Sequence, residues 1–190
     1  MLNSIKEASI MSIFVAGAHG SGKTTVCMLL SELLGVDHYS ASSLIIKHSG
    51  RANWSSAKTT NSIQENQLAL VIEINNLRQH NPRFLLDGHF TLLNSKKEIE
   101  PVSFSILKAL NFNGAIIVES TAESIYKRIS ERDKELWSPK LISRMITAEH
   151  EHAIIFAKLT QTPIIFIQND TPIYENHELL CLARKWLNLN

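Results

Sequence analysis

The chain has 190 residues, of which 44% are hydrophobic and 19% are charged, a composition typical of one globular domain. Its 19 Lys and Arg residues nearly balance its 18 Asp and Glu residues, which argues against a broad nucleic-acid-binding or lipid-binding surface. No apolar run approaches the roughly 18 residues of a membrane-spanning helix. Cys27 and Cys181 are far apart and form no disulfide or zinc pattern. We therefore expect a single cytoplasmic domain over residues 1–190, with no nucleic-acid or membrane partner.

Short apolar segments alternate along the chain with longer segments of helical periodicity, which predicts an α/β fold with helices on both faces of a parallel sheet. The predicted strands are residues 12–16, 36–39, 83–86, 114–118 and 163–167. The predicted helices include amphipathic segments at 26–34, 63–77 and 179–187. Capping patterns at Ser120-Thr-Ala-Glu123 and Ser138-Pro139 predict two further helix starts. Residues 51–60 and 91–110 break this rhythm and are interpreted as insertions beside the sheet.

The most informative segment is Gly17-Ala18-His19-Gly20-Ser21-Gly22-Lys23-Thr24-Thr25, which matches the pattern G-x-x-x-x-G-K-[ST] between a strand and a helix. A polyphosphate needs several convergent backbone N–H donors, and glycines allow the chain to wrap closely around it. The helix N-terminus adds further donors. Lys23 supplies a charge to the β- and γ-phosphates, and Thr24 is placed to bind Mg²⁺. These residues predict a site for MgATP, in which the side chain of His19 serves packing rather than catalysis.

A second candidate group is Asp87-Gly88-His89, at the carboxyl end of the apolar strand 83–86. Ligands bind at this end of the strands in open α/β sheets. If this strand lies beside the first one, Asp87 faces the metal and the γ-phosphate. It would then either bind Mg²⁺, directly or through water, or accept a proton from an acceptor hydroxyl.

A third candidate group is the pair Arg128 and Arg132, which are one helical turn apart and so share a face. Guanidinium groups match phosphate geometry and can stabilise a transferring phosphoryl group. The same letters would also suit an ordinary surface helix. Of the other candidates, His150 and His152 lack the i, i+4 spacing of a helical metal site, and Cys27 fits a core position.

The sequence resembles the small P-loop kinases of the adenylate kinase group, most closely the archaeal-type adenylate kinases. Residues 17–24 resemble the phosphate loop of that group, and Asp87-Gly88-His89 resembles its D-x-H segment. Arg128 and Arg132 resemble the paired lid arginines, which implies that the first stacks on adenine and the second reaches the transferred phosphate. Asn169 and Asp170 fall where that group holds the purine ring.

The resemblance implies a three-layer P-loop NTPase fold with strand order 2-3-1-4-5, an acceptor-binding insertion at about 40–80 and a short lid at about 128–139. It also implies ATP and Mg²⁺ as cofactors. The acceptor region departs from the family pattern, with Ser40-Ala41-Ser42-Ser43 at the acceptor helix and Arg51 or Lys58 where an arginine is expected.

We therefore expect a kinase that transfers the γ-phosphate of MgATP to a small acceptor, with a nucleoside monophosphate favoured. The expected catalytic residues are Lys23, Asp87, Arg128 and Arg132, and Thr24 and Asp87 are the expected metal ligands. A kinase of a hydroxyl-bearing metabolite and a non-catalytic ATP-binding switch are the alternatives. The protein is expected to be a monomer or small homo-oligomer that could also have a protein partner.

Overall fold

The computed structural model describes residues 11–49, 59–60, 63–132, 137–169 and 173–189. In chain order, the described elements are β1 (Met11–Ala16), α1 (Lys23–Leu34), β2 (Asp37–Ser40), α2 (Ala41–Ser49), β3 (Thr59–Thr60), α3 (Ile63–His80), β4 (Arg83–Gly88), β5 (Thr91–Asn94), β6 (Ile99–Pro101), α4 (Phe104–Leu110), β7 (Gly114–Glu119), α5 (Ala122–Arg132), α6 (Pro139–Thr160), β8 (Ile164–Gln168), the 3₁₀ turn Ile173–Glu175 and α7 (His177–Trp186).

The main sheet has five parallel strands in the order β2-β4-β1-β7-β8. Counted along the chain among these five strands alone, this is the order 2-3-1-4-5. Every predicted strand belongs to this sheet, and the predicted fold class is confirmed.

Because β1 and β4 are neighbours, Val15 lies opposite Asp87 and Ala16 opposite Gly88. The phosphate loop and the Asp87 segment therefore leave the sheet side by side.

Alternate residues of β1 explain why helices cover both faces of the sheet, since successive side chains of a strand point in opposite directions. Ile13 and Val15 pack with buried residues of α1 and α7. Phe14 and Ala16 pack with buried residues of α2, α3, α4 and α6. Residues 13–16 are all apolar because both faces of the sheet are covered, as is usual for a parallel sheet.

The segment 91–110, predicted only as an insertion, forms regular structure. β5 and β6 pair antiparallel, β3 joins β5 in parallel, and α4 follows. The turn between β5 and β6 is closed by Asn94, whose side-chain oxygen accepts the backbone N–H groups of Lys96 and Glu98. A short hairpin of this kind has too few residues to produce a clear pattern in the sequence.

The predicted helix starts lie where the capping signals indicated, with one change. Ser138 caps α6 by accepting the N–H of Leu141 at 3.1 Å. The helix α5 is capped by Thr121, which accepts the N–H of Ser124 at 3.1 Å, rather than by Ser120. Ser120 instead accepts a hydrogen bond from Arg128. Among the described residues, none of the helices combines the length and apolarity that a bilayer crossing requires.

Candidate active site

The phosphate loop connects β1 to α1 and has the backbone shape that its glycines permit. Gly20 and Gly22 have φ values of 83° and 93°, in the region that residues with a side chain rarely adopt. A Cβ atom on Gly22 would lie 2.1 Å from Nδ2 of Asn169. The helix begins at Lys23, directly after Gly22, so its first N–H groups lack partners within the helix. This is the arrangement that binds anions at a helix N-terminus.

Two oxygen groups fit a hard divalent cation next to this loop. The hydroxyl of Thr24 donates a 2.5 Å hydrogen bond to Oδ2 of Asp87, which lies near the end of β4 and is buried. Carboxylate and hydroxyl oxygens are ligands suited to Mg²⁺, which also keeps waters and substrate phosphates as ligands. Thr24 and Asp87, predicted as metal ligands from the sequence, are therefore brought together.

Lys23 lies in the same region and is buried, with 7% of its surface exposed. Burial lowers the pKa of its ammonium group, because removal from water disfavours the charged form. The carboxylates of Asp87 and Glu149 oppose this shift. An anionic phosphate would act in the same direction as these carboxylates, so the site favours an anionic ligand.

Arg128 reaches the phosphate loop from α5. Its Nη1 donates to the backbone carbonyls of Gly20 and Ser21 at 3.3 and 3.2 Å, and to the hydroxyl of Ser120 at 3.0 Å. The guanidinium group therefore supports the loop through these carbonyls, a contact that the predicted stacking on adenine did not include.

Arg132 belongs to a cluster of rings at the mouth of the loop. Its Nη2 lies 2.6 Å from Nε2 of His19, and the His19 ring stacks on Trp137 with centroids 5.2 Å apart. The ring of His89 lies 6.3 Å from that of His19. The predicted packing role of His19 agrees with these contacts. The two arginines share the helical face expected from their spacing, and both approach the loop.

Several predicted nucleotide-binding residues have other contacts. Gly17 donates its N–H to Oε1 of Glu149 at 3.2 Å, so this group is not directed to a phosphate. The N–H of Ser21 donates to Ala18 O at 3.0 Å, within the loop. Asn169 donates to the carbonyl of Ser21 at 2.7 Å and so holds the loop in place. Asp170, the remaining predicted purine contact, lies outside the described residues.

Glu149 is a functional candidate that the sequence interpretation missed. Its carboxylate is buried on α6 and accepts the N–H groups of Gly17, Phe90 and Thr91, and the hydroxyl of Thr91. A signal for it existed, because Glu149 is the charged member of an otherwise largely apolar stripe on α6. That stripe consists of Ile142, Met145, Glu149, His152, Ala153 and Phe156.

A cleft of about 620 Å³ joins the phosphate loop to a surface formed by α2, α3, β5 and α4, which we call the acceptor side because the family resemblance predicts the acceptor there. On the loop side it is lined by His19, Gly20, Gly22, Lys23, Thr24, Thr25, Arg128 and Arg132. Asp87, Gly88 and His89 lie between the two sides. The acceptor side combines the polar groups of Ser40, Ser42, Asn66, Gln67 and Thr91 with apolar side chains of α2, α3, β5 and α4.

The remaining candidate residues, His150, His152 and Cys27, have surroundings that do not indicate a catalytic role. His150 contacts Glu119 at 2.6 Å, whereas His152 contacts the carbonyl of Val102 at 2.8 Å, so the two rings have separate partners. Within the ranges that the structure describes, no three His, Cys, Asp or Glu side chains converge as a metal-binding group. Cys27 is fully buried among apolar residues, and burial raises the pKa of its thiol.

Comparison with known proteins places this architecture among nucleotide-binding folds. A protein-family model described as an AAA domain matches residues 16–138. A search of curated protein sequences finds no match.

Solved structures of kinases resemble the whole described fold. Shikimate kinase from Bacteroides thetaiotaomicron has a TM-score of 0.56 and 12% identity, with 94% of this chain and 99% of that chain covered. A sugar kinase from Janibacter sp. HTCC2649 has a TM-score of 0.54 and 14% identity, with 94% of each chain covered. Shikimate kinase from Acinetobacter baumannii in complex with shikimate has a TM-score of 0.51 and 16% identity, with 95% of this chain and 93% of that chain covered. At these identities the similarity concerns the fold, which is that of P-loop kinases.

Proposed function

The chain belongs to the AAA domain family, and we propose that it is a kinase that transfers the γ-phosphate of MgATP to a small acceptor. The observation that carries this proposal is the Thr24–Asp87 pair, held at 2.5 Å beside buried Lys23 in a cleft with room for a second substrate. An ATP-binding module alone would not require a cleft that continues past the γ-phosphate position to a separate polar and apolar surface.

The residues act by positioning and by neutralising charge. The N-terminus of α1 and the loop N–H groups other than those of Gly17 and Ser21 hold the phosphates. Lys23 contributes a positive charge, and its attraction to the phosphates is stronger where water is excluded. Thr24 and Asp87 would hold Mg²⁺, which neutralises phosphate charge when bound. Arg132 lies at the mouth of the loop, where its guanidinium group can approach the transferring phosphate. Arg128 keeps the loop in shape.

The acceptor defines two versions of this proposal. The resemblance to archaeal-type adenylate kinases favours a nucleoside monophosphate. The acceptor side of the cleft supports a hydroxyl-bearing metabolite, because its described lining is apolar with neutral Ser, Thr, Asn and Gln groups. A monophosphate would need a cation on that side, and among the described lining residues Lys23, Arg128 and Arg132 all lie on the loop side. Arg51 and Lys58, the candidates for that cation in the sequence, lie outside the described residues. In the metabolite version, Asp87 can accept the hydroxyl proton.

Transfer of labelled phosphate from ATP to a panel of acceptors tests the proposal. The panel contains nucleoside monophosphates and neutral hydroxyl-bearing metabolites, including shikimate and simple sugars. We expect a labelled product from one class of acceptor. Lys23→Ala should reduce the rate of transfer at least about 100-fold, because it removes the positive charge that lies against the phosphates.

The matched control is Lys127→Ala, since Lys127 is exposed on α5. It should transfer phosphate at the unaltered rate. Tight MgATP binding with no labelled product from any acceptor would instead support a nucleotide-binding switch. If the unaltered protein yields a labelled product and Lys23→Ala yields it at the same rate, the proposed kinase site is wrong.

A further inference from the structure

The carboxylate of Glu149 connects three parts of the molecule whose relative positions matter for the proposed chemistry. Glu149 lies on α6, Gly17 begins the phosphate loop, and Phe90 and Thr91 follow the Asp87-Gly88-His89 segment. Oε1 accepts the N–H of Gly17 at 3.2 Å and that of Phe90 at 2.7 Å. Oε2 accepts the N–H and the hydroxyl of Thr91 at 2.8 and 2.7 Å. Each carboxylate oxygen therefore accepts two hydrogen bonds.

The burial of this group is difficult to explain by stability alone. Glu149 is 2% exposed, and an ionised carboxylate in such a position carries a large desolvation cost. Burial accordingly raises its pKa, while the hydrogen bonds from Phe90 and Thr91 and the charge of Lys23 act against that shift. Apolar residues could fill this part of α6 at lower cost, so a carboxylate here points to a role at the site.

The hydrogen-bond geometry requires an anion rather than an amide. Four donor groups face the two oxygens, and a glutamine offers only one oxygen as acceptor. Its NH₂ group would meet the N–H donors of Thr91 or of Gly17 and Phe90, whichever way the amide is turned. At least one buried N–H group would then lose its partner.

We propose that Glu149 is a positioning residue that fixes the segment after Asp87 against the start of the phosphate loop, so that the Asp87 carboxylate and the Thr24 hydroxyl remain adjacent. The inference rests on the proposed function, in which these two groups hold Mg²⁺. Val15 and Asp87 already face each other across the two strands. The sheet thus sets the approximate distance between the two segments, and Glu149 fixes the loops beyond the ends of their strands.

The test compares Glu149→Gln with Glu151→Gln, which removes the same charge from an exposed position on the same helix. Thr91→Val removes one donor to Glu149, and Thr160→Val, at the end of α6, is its control. Amide hydrogen exchange is measured at Gly17, Phe90 and Thr91, and ATP affinity is measured by calorimetry with Mg²⁺ and with EDTA. Circular dichroism reports folding.

We expect faster exchange at Gly17, Phe90 and Thr91 in Glu149→Gln, with little change in the rest of α6. The affinity for ATP in EDTA should stay within about twofold, while the gain in affinity from Mg²⁺ should fall about tenfold. Thr91→Val should give a smaller loss of the same kind, and adding it to Glu149→Gln should cost less than it does alone. Glu151→Gln and Thr160→Val should match the unaltered protein.

Unchanged exchange at the three amides would overturn the inference, as would a magnesium-dependent gain that survives in both Glu149→Gln and Thr91→Val. A loss of affinity that merely follows the loss of stability across all variants, controls included, would also overturn it. If the unaltered protein does not bind ATP, the proposed function and this inference both fail. If it binds MgATP but transfers no phosphate, only the proposed function fails, because amide hydrogen exchange and ATP affinity still test the role of Glu149.

Discussion

At the scale of single residues, the site depends on positions where one atom more or less changes the geometry. Gly22 is the clearest case, because two independent demands coincide there. Its backbone is left-handed, and a Cβ would lie 2.1 Å from the amide of Asn169, which itself holds Ser21. Any side chain at Gly22 must therefore shift the loop or displace Asn169.

Gly22→Ala should weaken MgATP binding at least about tenfold, because the loop N–H groups move from their positions around the phosphates. Calorimetry measures this change. Gly35→Ala is the control, since Gly35 ends the same helix with φ 64° and has open space around its Cβ position. It should cost about 1 kcal/mol of stability through backbone strain and leave MgATP affinity unchanged. Equal affinity in both variants would show that the loop tolerates a side chain at Gly22.

The residues of the phosphate loop could be predicted because their signal is local: a strand, a run of glycines and a helix follow one another directly. Asp87 needed one non-local assumption, that its strand lies beside β1, and the pairing of Val15 with Asp87 provides it. The apolar stripe on α6 marks Glu149 as unusual, but its hydrogen-bond donors lie 58 to 132 residues away in the sequence, so no local pattern indicates its partners. Nη1 of Arg128 donates to loop carbonyls because α5 lies against the loop, a contact that the sequence did not indicate, and the predicted contact of Arg128 with adenine stays a prediction.

At the scale of elements, α6 links the site to the core. Its inner face carries Glu149 at the loop and His152 one turn farther along. The ring of His152 stacks on Phe104 with centroids 4.3 Å apart and contacts the carbonyl of Val102. The helix therefore packs against the β5–β6 and α4 segment, which lines the acceptor side of the cleft.

The packing of His152 predicts a dependence of stability on pH. Burial lowers its pKa below the ordinary value of 6.5. Because the folded pKa is depressed, the unfolded chain binds the proton more readily, and stability falls as the pH drops from above 6.5 through the folded pKa. We expect the free energy of unfolding to decrease between pH 7.5 and pH 5, and His152→Gln to reduce that decrease.

Urea unfolding at a series of pH values measures this effect. The control is His177→Gln, since His177 is exposed at the start of α7. Its pH dependence should match that of the unaltered protein. A His152→Gln profile parallel to that of the unaltered protein would show that His152 is not the group that titrates.

The ability to predict the fold also differed between elements. The strands β1, β4, β7 and β8 were predictable because each contains three or four consecutive apolar residues, whereas the edge strand β2 has no such run. The helix starts at α5 and α6 followed from short capping patterns. The second sheet of β3, β5 and β6 was missed because each strand has only two to four residues, and because α3 and β4 separate β3 from its partner β5.

At the scale of the whole molecule, the sheet divides the core into two layers, and the site lies where both layers reach the ends of β1 and β4. A third buried cluster joins Ala18 of the loop to α5, α6 and Trp137. The loop is thus attached to both sides of the fold. Ligand binding there should stabilise the entire cooperative unit rather than one element.

Thermal unfolding measures this linkage. A ligand that binds only the folded state at about 100 times its Kd adds about 2.7 kcal/mol, which for a protein of this size raises Tm by about 5–10 °C. We expect MgATP to give such a rise in a thermal unfolding scan and ATP with EDTA to give a smaller one. Asp87→Asn should remove the difference between the two conditions, since it takes away the carboxylate beside Thr24. Glu119→Gln, which alters a carboxylate outside the cleft lining, should retain it. Mg²⁺ is placed at this end of the sheet because the Thr24 hydroxyl and the Asp87 carboxylate are adjacent there. If the additional rise in Tm from Mg²⁺ persists in Asp87→Asn, the cation is held elsewhere.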